Sequence, residues 1–382
     1  MKVLHVYRTY FPDLPGGLQE AIRQICLATR ARGVEPRIFT LSPTPSPRSI
    51  DYPEGVVERS KSWAAPASCD LGGLDALRQF REWSAWADVL HFHFPWPFGD
   101  LLRMLGERSK PAVMTYHSDV VRQRALGALY APLMRRMLDS MSAVVATSPA
   151  YARTSPVLTQ LVSPERVRVI PLGIADYAGA VESAAPTGES DVLARLSLGD
   201  EPFFLALGVL RYYKGLHTLI EAAPSIPARL VIAGSGPEME PLQQLAKERG
   251  VTNVQFAGQV SVAEKHGLLQ RCRGLVLPSQ LRSEAFGMVL VEAAMFGKPL
   301  VCCEIGTGTS YVNEHGVTGL VVRPEAPEEL AAAVSTLLND PSRARAMGAA
   351  ARKRYERLFS DVALGDKYAA LYEEVASERR AG

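Results

Sequence analysis

The sequence predicts an α/β protein built from two doubly wound domains, each around a mainly parallel sheet. Strand-length apolar runs alternate with longer segments of helical period along the whole chain, the pattern of repeated βα units. The alternation lapses across residues 177–200, where Ala, Gly, Ser and Glu dominate without an apolar period, and it restarts at Phe203. A length of 382 residues accommodates two domains of similar size. Boundaries of 1–176 and 177–361 follow, with a ligand site between the domains as the default.

In chain order, Lys2–Val6 reads as a buried strand and Leu18–Arg32 as a helix with Ala21, Ile22, Ile25 and Leu27 apolar. The connection between them ends in Pro15-Gly16-Gly17. This is how a doubly wound unit opens, but the fingerprint G-x-G-x-x-G is absent, so a nicotinamide cofactor is not supported. Gly16 and Gly17 suit either the close approach of a phosphate or sugar or a tight turn alone. Pro36–Leu41 is the next strand. Residues 42–72, rich in Pro and Ser, read as a long connection, and Leu74–Ala87 as a helix. Asp88–His93 and Pro111–Tyr116 are strands, and His91, His93 and His117 fall toward their carboxyl ends. Ligands of open parallel sheets bind outside those ends. A metal would need the three histidines to converge with a fourth ligand; a single working His117 is the preferred reading. Gln123–Ser140 is helical, and Arg122, Arg124, Arg135 and Arg136 lie beside Leu126, Leu129, Tyr130, Leu133 and Met134. Such a stretch suits a core-facing helix with solvated arginines, or an anionic membrane surface. Ala143–Thr147 and Val167–Ile170 complete the first sheet.

In the second half, Phe203–Gly208, Arg229–Ala233, Asn253–Ala257, Gly274–Leu277, Pro299–Cys303 and Gly319–Val322 read as strands. Among them fall the loop Val209–Gly215, the turn Gly234-Ser235-Gly236-Pro237, a helix from Val262 to Gln270, and the glycine-rich stretch Gly306–Thr309. Helices over roughly 327–339, 341–356 and 362–378 close the chain.

The most informative stretch is Ser283–Glu292, in which Glu284 and Glu292 are separated by seven residues. Glu284 sits in a loop beside Phe286-Gly287, and Glu292 lies in the helix that follows, which stops at Gly297-Lys298-Pro299. Gly287 allows a ligand close to the backbone. The free amides of Gly287, Met288 and Val289 favour an anion such as a phosphate. Carboxylates on either side would repel that anion but suit vicinal hydroxyls, from which they accept paired hydrogen bonds. A phosphate between two polyols describes a nucleotide sugar.

Composition excludes several other classes. With 42 Lys and Arg against 40 Asp and Glu, a net charge of +2 gives no nucleic-acid footprint. The five cysteines are scattered without a C-x-x-C pair, which points neither to a disulfide framework nor to a zinc site. The chain opens on a strand rather than a signal peptide, and no apolar run approaches the roughly 20 residues of a membrane span. A cytoplasmic protein is the plain expectation.

The Glu284…Glu292 pair enclosing Phe286-Gly287, the Lys214-Gly215 loop, the Gly234-Ser235-Gly236-Pro237 turn and the Gly316-Val317-Thr318-Gly319 turn, in this order, resemble the family 4 retaining glycosyltransferases of the GT-B fold. The Arg211–Gly215 loop and the start from Val6-Tyr7 to Gly16-Gly17 look like a bacterial subgroup of mannosyl- and rhamnosyltransferases of lipopolysaccharide and O-antigen assembly. The resemblance implies two Rossmann-like domains with an interdomain cleft. The first would bind the acceptor and be completed by the C-terminal helix 362–382; the second would bind the donor. It implies that Glu292 binds the ribose of the donor and Glu284 the transferred sugar. Phe286, Gly287, Met288 and Val289 would bind sugar and phosphate, with Gly234 and Gly236 also in the donor site. Lys214 would neutralise the diphosphate. Gly16 and Gly17 would meet the phosphate from the first domain, and His117 would sit at the reacting centre. One departure stands out: the family's arginine after the first strand of the second domain is replaced by Val209, and Arg211 is the candidate to supply that charge.

Cleavage of a nucleotide diphosphate sugar builds negative charge on the departing phosphate, and cations with preorganised amides stabilise it. Lys214, Arg211 and the amides after Gly287 fit that need. No D-x-D is present, so no metal or other cofactor is expected. The resemblance implies front-face attack with retention. A glycosidase-like carboxylate pair would instead make Glu284 a nucleophile, but phosphate loops have no use in hydrolysis. The expectation is a peripheral enzyme at the inner membrane surface. It would move mannose or rhamnose from a GDP-sugar onto a polyprenyl-diphosphate-linked glycan. A UDP-sugar-dependent transferase and a GT-B epimerase are the alternatives.

Overall fold

A computed structural model describes residues 1–14, 16–66, 69–106, 109–119, 124–179 and 189–381. They form two compact units, Met1–Ala175 with Ser360–Gly382, and Asp176–Phe359.

The first unit contains strands β1 (Lys2–Val6), β2 (Glu35–Ser42), β3 (Ser49–Tyr52), β4 (Gly55–Ala64), β5 (Leu71–Gly72), β6 (Val89–Phe94), β7 (Ala112–Tyr116), β8 (Ala143–Ala146) and β9 (Val167–Val169). Their order is β3-β4-β2-β1-β6-β7-β8-β9, with β5 paired to β4. Only β3 and β5 run antiparallel to their neighbour among the described strands. Helices α1 (Gly17–Arg30), α2 (Leu74–Trp86), α3 (Pro97–Leu105), α4 (Arg124–Asp139), α5 (Pro149–Thr154) and α6 (Pro156–Leu161) connect them. The helices α3, α5 and α6 were not expected; each starts on a proline, which suits a first turn. Arg122, in the predicted basic stretch, and the side chain of Arg124 lie outside the described residues.

The long connection expected over residues 42–72 is corrected. The chain turns from Tyr52 back to Gly55 to make the hairpin β3–β4, and β4 then runs parallel to β2 from Val56 to Lys61. Charges within β4 hid its pattern: Glu58 pairs with Arg37 at 2.8 Å and Arg59 with Asp13 at 2.8 Å, so charged side chains are buried where an apolar alternation is usually read.

The second unit begins with α7 (Glu189–Arg195), a helix within the stretch expected to be linker; residues 180–188 lie outside the described residues. It continues through β10 (Phe203–Leu207), α8 (Leu216–Ala222), β11 (Arg229–Ala233), α9 (Met239–Glu248), β12 (Val254–Gly258), α10 (Val262–Arg271), β13 (Gly274–Leu277), α11 (Met288–Met295), β14 (Leu300–Cys303), α12 (Thr309–Val312), β15 (Gly319–Val322), α13 (Pro327–Asn339) and α14 (Pro341–Leu358). The sheet order is β12-β11-β10-β13-β14-β15, all parallel. Beside β10 the order reverses, with β11 on one side and β13 on the other, and such a switch point opens a crevice at the carboxyl ends of the two strands. The last helix, α15 (Asp361–Ala381), belongs to the first unit, where Leu364, Tyr368, Leu371, Tyr372 and Val375 pack on Val3, Val89, Val113 and Val145. No described helix is long and apolar enough to cross a membrane.

Candidate functional site

In the second unit the candidate residues converge at the switch point. The exit of β10 forms a short turn, Tyr212–Lys214, closed by Gly215 in the left-handed region at φ 64°. A Cβ on Gly215 would lie 2.1 Å from the Pro278 carbonyl oxygen, so glycine lets the exits of β10 and β13 touch. The backbone N–H of Gln280 donates to the Tyr213 carbonyl at 2.9 Å and ties them together. That contact brings Lys214 to Glu284: Nζ donates to Oε2 at 2.7 Å, with the side chains only 10% and 13% exposed. Burial alone would lower the Lys214 pKa, but the Glu284 carboxylate, with help from Tyr213, holds it above its ordinary value. Lys214 is therefore a fixed cation.

Beyond Glu284, the Phe286 ring is buried against Gly308, where a Cβ would come within 2.5 Å of it. Gly287 caps α11 at φ 85° with no side-chain cap, which leaves the first-turn amides at Gly287, Met288 and Val289 in an arrangement that favours an anion. Glu292 lies one turn further on. Lys265 Nζ donates to Glu292 Oε1 at 2.6 Å, and the Tyr177 hydroxyl donates to the same oxygen at 3.3 Å. The Tyr177 ring stacks on His266 at 4.3 Å. Neither Lys265 nor Tyr177 was expected from the sequence. The available signal was Ser261 with Glu264, a capping box that opens α10 and sets Lys265 in its first turns.

Other predicted residues stand apart from this cluster. Arg211 is exposed and makes no ion pair or side-chain hydrogen bond among the described residues. Val209 is also exposed, at 53%. Gly234 and Gly236 meet a packing demand: a Cβ on either would fall 2.0 Å from the Gly208 carbonyl oxygen or 2.4 Å from that of Leu210. Gln280 was missed by sequence reading. It is buried beside Gly215, and neither polar atom of its amide side chain has a hydrogen-bond partner. Native proteins rarely leave such a group unpaired without a ligand or water to complete it.

In the first unit, Gly16 and Gly17 are exposed at the start of α1, and nothing lies within 4 Å of a Cβ placed on Gly17. His117 follows β7 and is buried, at the end of a run of imidazoles. His5 Nδ1 and His93 Nε2 are 3.1 Å apart, and His93 Nδ1 and His117 Nε2 are 3.0 Å apart. His91 lies mid-strand in the core, bonded to the Tyr372 hydroxyl and to Thr115 Oγ1, each at 2.7 Å. Burial pushes the pKa of His5 and of His117 down to about 3, and those of His91 and His93 well below the ordinary value. Ligand atoms of His5, His91 and His93 lie within 4.8 Å of one another, the spacing of a potential metal site. Both ring nitrogens of His91 and of His93 are already hydrogen-bonded, however.

Two family profiles match the chain, "Glycosyl transferases group 1" over residues 194–354 and "Glycosyl transferase 4-like domain" over residues 16–173. The D-rhamnosyltransferase WbpZ of Pseudomonas aeruginosa is 44% identical over 94% of this chain and 92% of its own length. The O-antigen chain mannosyltransferase C of Escherichia coli is 38% identical over 97% of this chain and 98% of its own. Among solved structures, Anabaena HepE in complex with UDP superimposes with a TM-score of 0.78 at 20% identity, over 98% of this chain and 100% of that one. A sucrose-phosphate synthase from Thermosynechococcus elongatus gives 0.76 at 23% identity, over 99% of each chain. At these identities the two structures speak to the fold alone.

Proposed function

The chain belongs to the GT-B-fold glycosyltransferases, and from that premise we propose that it is a retaining hexosyltransferase of O-antigen assembly. In this reading it takes mannose or rhamnose from a GDP-sugar and adds it to a polyprenyl-diphosphate-linked glycan. The observation that carries the reading is the arrangement at the second unit's switch point: a fixed Lys214 cation, a carboxylate at Glu284, and the open amides of α11 between Glu284 and Glu292. The similarity to a rhamnosyltransferase and a mannosyltransferase over nearly full length supports the choice of sugar.

The residues divide the work by charge. The diphosphate is bound by the α11 amides and Lys214, with Arg211 swinging in from solvent as a second cation. Lys214 and the amides then stabilise the charge that builds on the departing phosphate, so no metal is required. Glu284 accepts hydrogen bonds from hydroxyls of the transferred sugar, and Glu292, oriented by Lys265, accepts them from the ribose. Gln280 supplies a further donor and acceptor for the bound sugar or phosphate. Phe286 and the glycines at 234 and 236 act through packing that holds the loops in place. On the first unit, Gly16 and Gly17 leave the start of α1 open to an anion, and His117 is read as a hydrogen-bond partner of a sugar. The leaving phosphate oxygen takes the acceptor's proton in a front-face displacement, which preserves the anomeric configuration.

A peripheral position on the cytoplasmic face of the inner membrane is part of the proposal. Arg136 of α4 and Leu101 of α3 line one groove with Met104, Leu133 and Asp139, and Arg135 and Leu105 are exposed on the same two helices, a basic and apolar surface suited to a lipid diphosphate. Reversing both charges (R135E with R136E) is expected to reduce co-sedimentation with anionic vesicles while leaving nucleotide binding intact.

The donor is tested by calorimetric titration with GDP, UDP, ADP and dTDP, on the native chain and on Glu292→Ala, with and without EDTA. Selective GDP binding, lost in the variant and indifferent to EDTA, is the expected result. Binding of none of the four overturns the nucleotide-sugar reading.

A further inference from the structure

We propose that His93 and His5 are positioning residues for His117: three hydrogen-bonded imidazoles, running from the sheet interior to its carboxyl edge, hold the His117 ring in the tautomer protonated on Nδ1. His117 then meets a ligand as a hydrogen-bond donor. The inference rests on the reading of His117 as a sugar-binding residue, but its structural half stands apart from any activity.

Strand register brings the rings together. His5 on β1 is paired with His91 on β6, and His93 with Thr115 on β7. Alternation puts His5, His91, His93, Thr115 and His117 on one face of the sheet, the face covered by Tyr368 and Tyr372 of α15. Consecutive rings lie at small interplanar angles, 16° between His5 and His93 and 27° between His93 and His117, with centroids 5.4 and 5.3 Å apart, so the facing nitrogens are aligned for in-plane hydrogen bonds. His91 is excluded from the run because Tyr372 and Thr115 use both of its nitrogens.

The polarity follows from the inner end. Each neutral imidazole has one N–H and one bare nitrogen. His5 Nε2 is buried without a hydrogen-bond partner. If that nitrogen carried the proton, an N–H would be orphaned in the core, and orphaned buried donors are the rarest class. With the proton on Nδ1 instead, His5 donates to His93 Nε2, His93 Nδ1 donates to His117 Nε2, and His117 Nδ1–H remains. That nitrogen has no hydrogen-bond partner among the described residues. The bare nitrogen at the far end is the lesser penalty.

Long-range proton–nitrogen correlation spectra of the full chain with ¹⁵N-labelled histidine read the tautomers directly and need no substrate. The expected pattern is a protonated Nδ1 and a bare Nε2 for His5, His93 and His117. A protonated Nε2 on His117, or a divalent ion co-purifying one to one with the protein, overturns the proposal. In transfer assays, His93→Phe is expected to lower kcat by about 10- to 100-fold, by analogy with removal of the hydrogen-bond partner that orients a metal-bound histidine. The donor KM should change little. His93→Asn places an amide N–H where Nδ1–H stood and should recover most of that loss. In a His117→Ala background, His93→Phe should cause no further loss; full multiplication of the two effects would sink the positioning role. If no transfer is found with any donor, the sugar-binding reading of His117 fails, whereas the spectra still decide the polarity.

Discussion

Lys214 and Glu284 show how residue-scale energetics and function divide. Each charge is nearly removed from water and is compensated by the other at 2.7 Å. Lys214→Met leaves the carboxylate uncompensated and should destabilise the second unit by about 3 kcal/mol, read as a lower urea midpoint. Adding Glu284→Gln should recover most of that stability but none of the kcat/KM, which Lys214→Met is expected to lower by about 100- to 1000-fold if Lys214 stabilises the leaving group as proposed. Gln280 gives the opposite signature. Its unpaired side-chain amide gains no hydrogen bond in the unliganded fold, so Gln280→Leu should leave the melting temperature unchanged or raise it while weakening nucleotide-sugar binding in calorimetry. Glu284 and Glu292 could be singled out in the sequence because their spacing flanks a helix start. Lys265, Tyr177 and Gln280 could not, because a buried polar partner has no periodic signature.

At the scale of elements, the loops do more than join strands. Gly287 caps α11 at φ 85° with Leu290 and Leu277 carbons 3.0 and 3.1 Å from where a Cβ would stand. Gly287→Ala should cost about 1–2 kcal/mol of stability and weaken nucleotide binding together, because the strained cap reorients the amides. Ser261→Ala removes the capping box of α10 and should cost about 1 kcal/mol; a thermal scan checks both variants. The strands of the second unit and its closing helices are recognisable from apolar runs and helical period, since all six strands are parallel and the four inner ones, β11, β10, β13 and β14, are almost wholly buried. The β3–β4 hairpin escaped notice for the converse reason: its buried positions include Glu58 and Arg59 in ion pairs.

At the scale of the molecule, the chain returns to its first unit only after completing the second. The helix α15 buries Tyr368, Tyr372 and Leu371 against the first sheet and hydrogen-bonds His91 and Thr115. A fragment of residues 1–175 should therefore fail to fold, whereas one of residues 176–359 should fold alone, with circular dichroism and urea titration as the measure. The buried histidines also set a pH dependence. Their pKa values lie below the ordinary 6.5, at about 3 for His5 and His117, so the unfolded chain takes up protons first. Their contribution is complete above about pH 6.5 and is lost as pH falls toward 3, at up to about 1.4 kcal/mol per histidine per pH unit. The urea midpoint should drop between pH 7 and pH 5, and His5→Leu should flatten that slope. The sequence by itself determined the alternation of strands and helices, the doubly wound class and the glutamate-flanked helix start, because hydrophobic period and capping chemistry are local. Only the tertiary structure decided which partners those residues take. Lys214 meets Glu284 across 70 positions, Lys265 meets Glu292 across 27, and His5 meets His93 across 88. Sheet order and register create those contacts, and no local pattern encodes them.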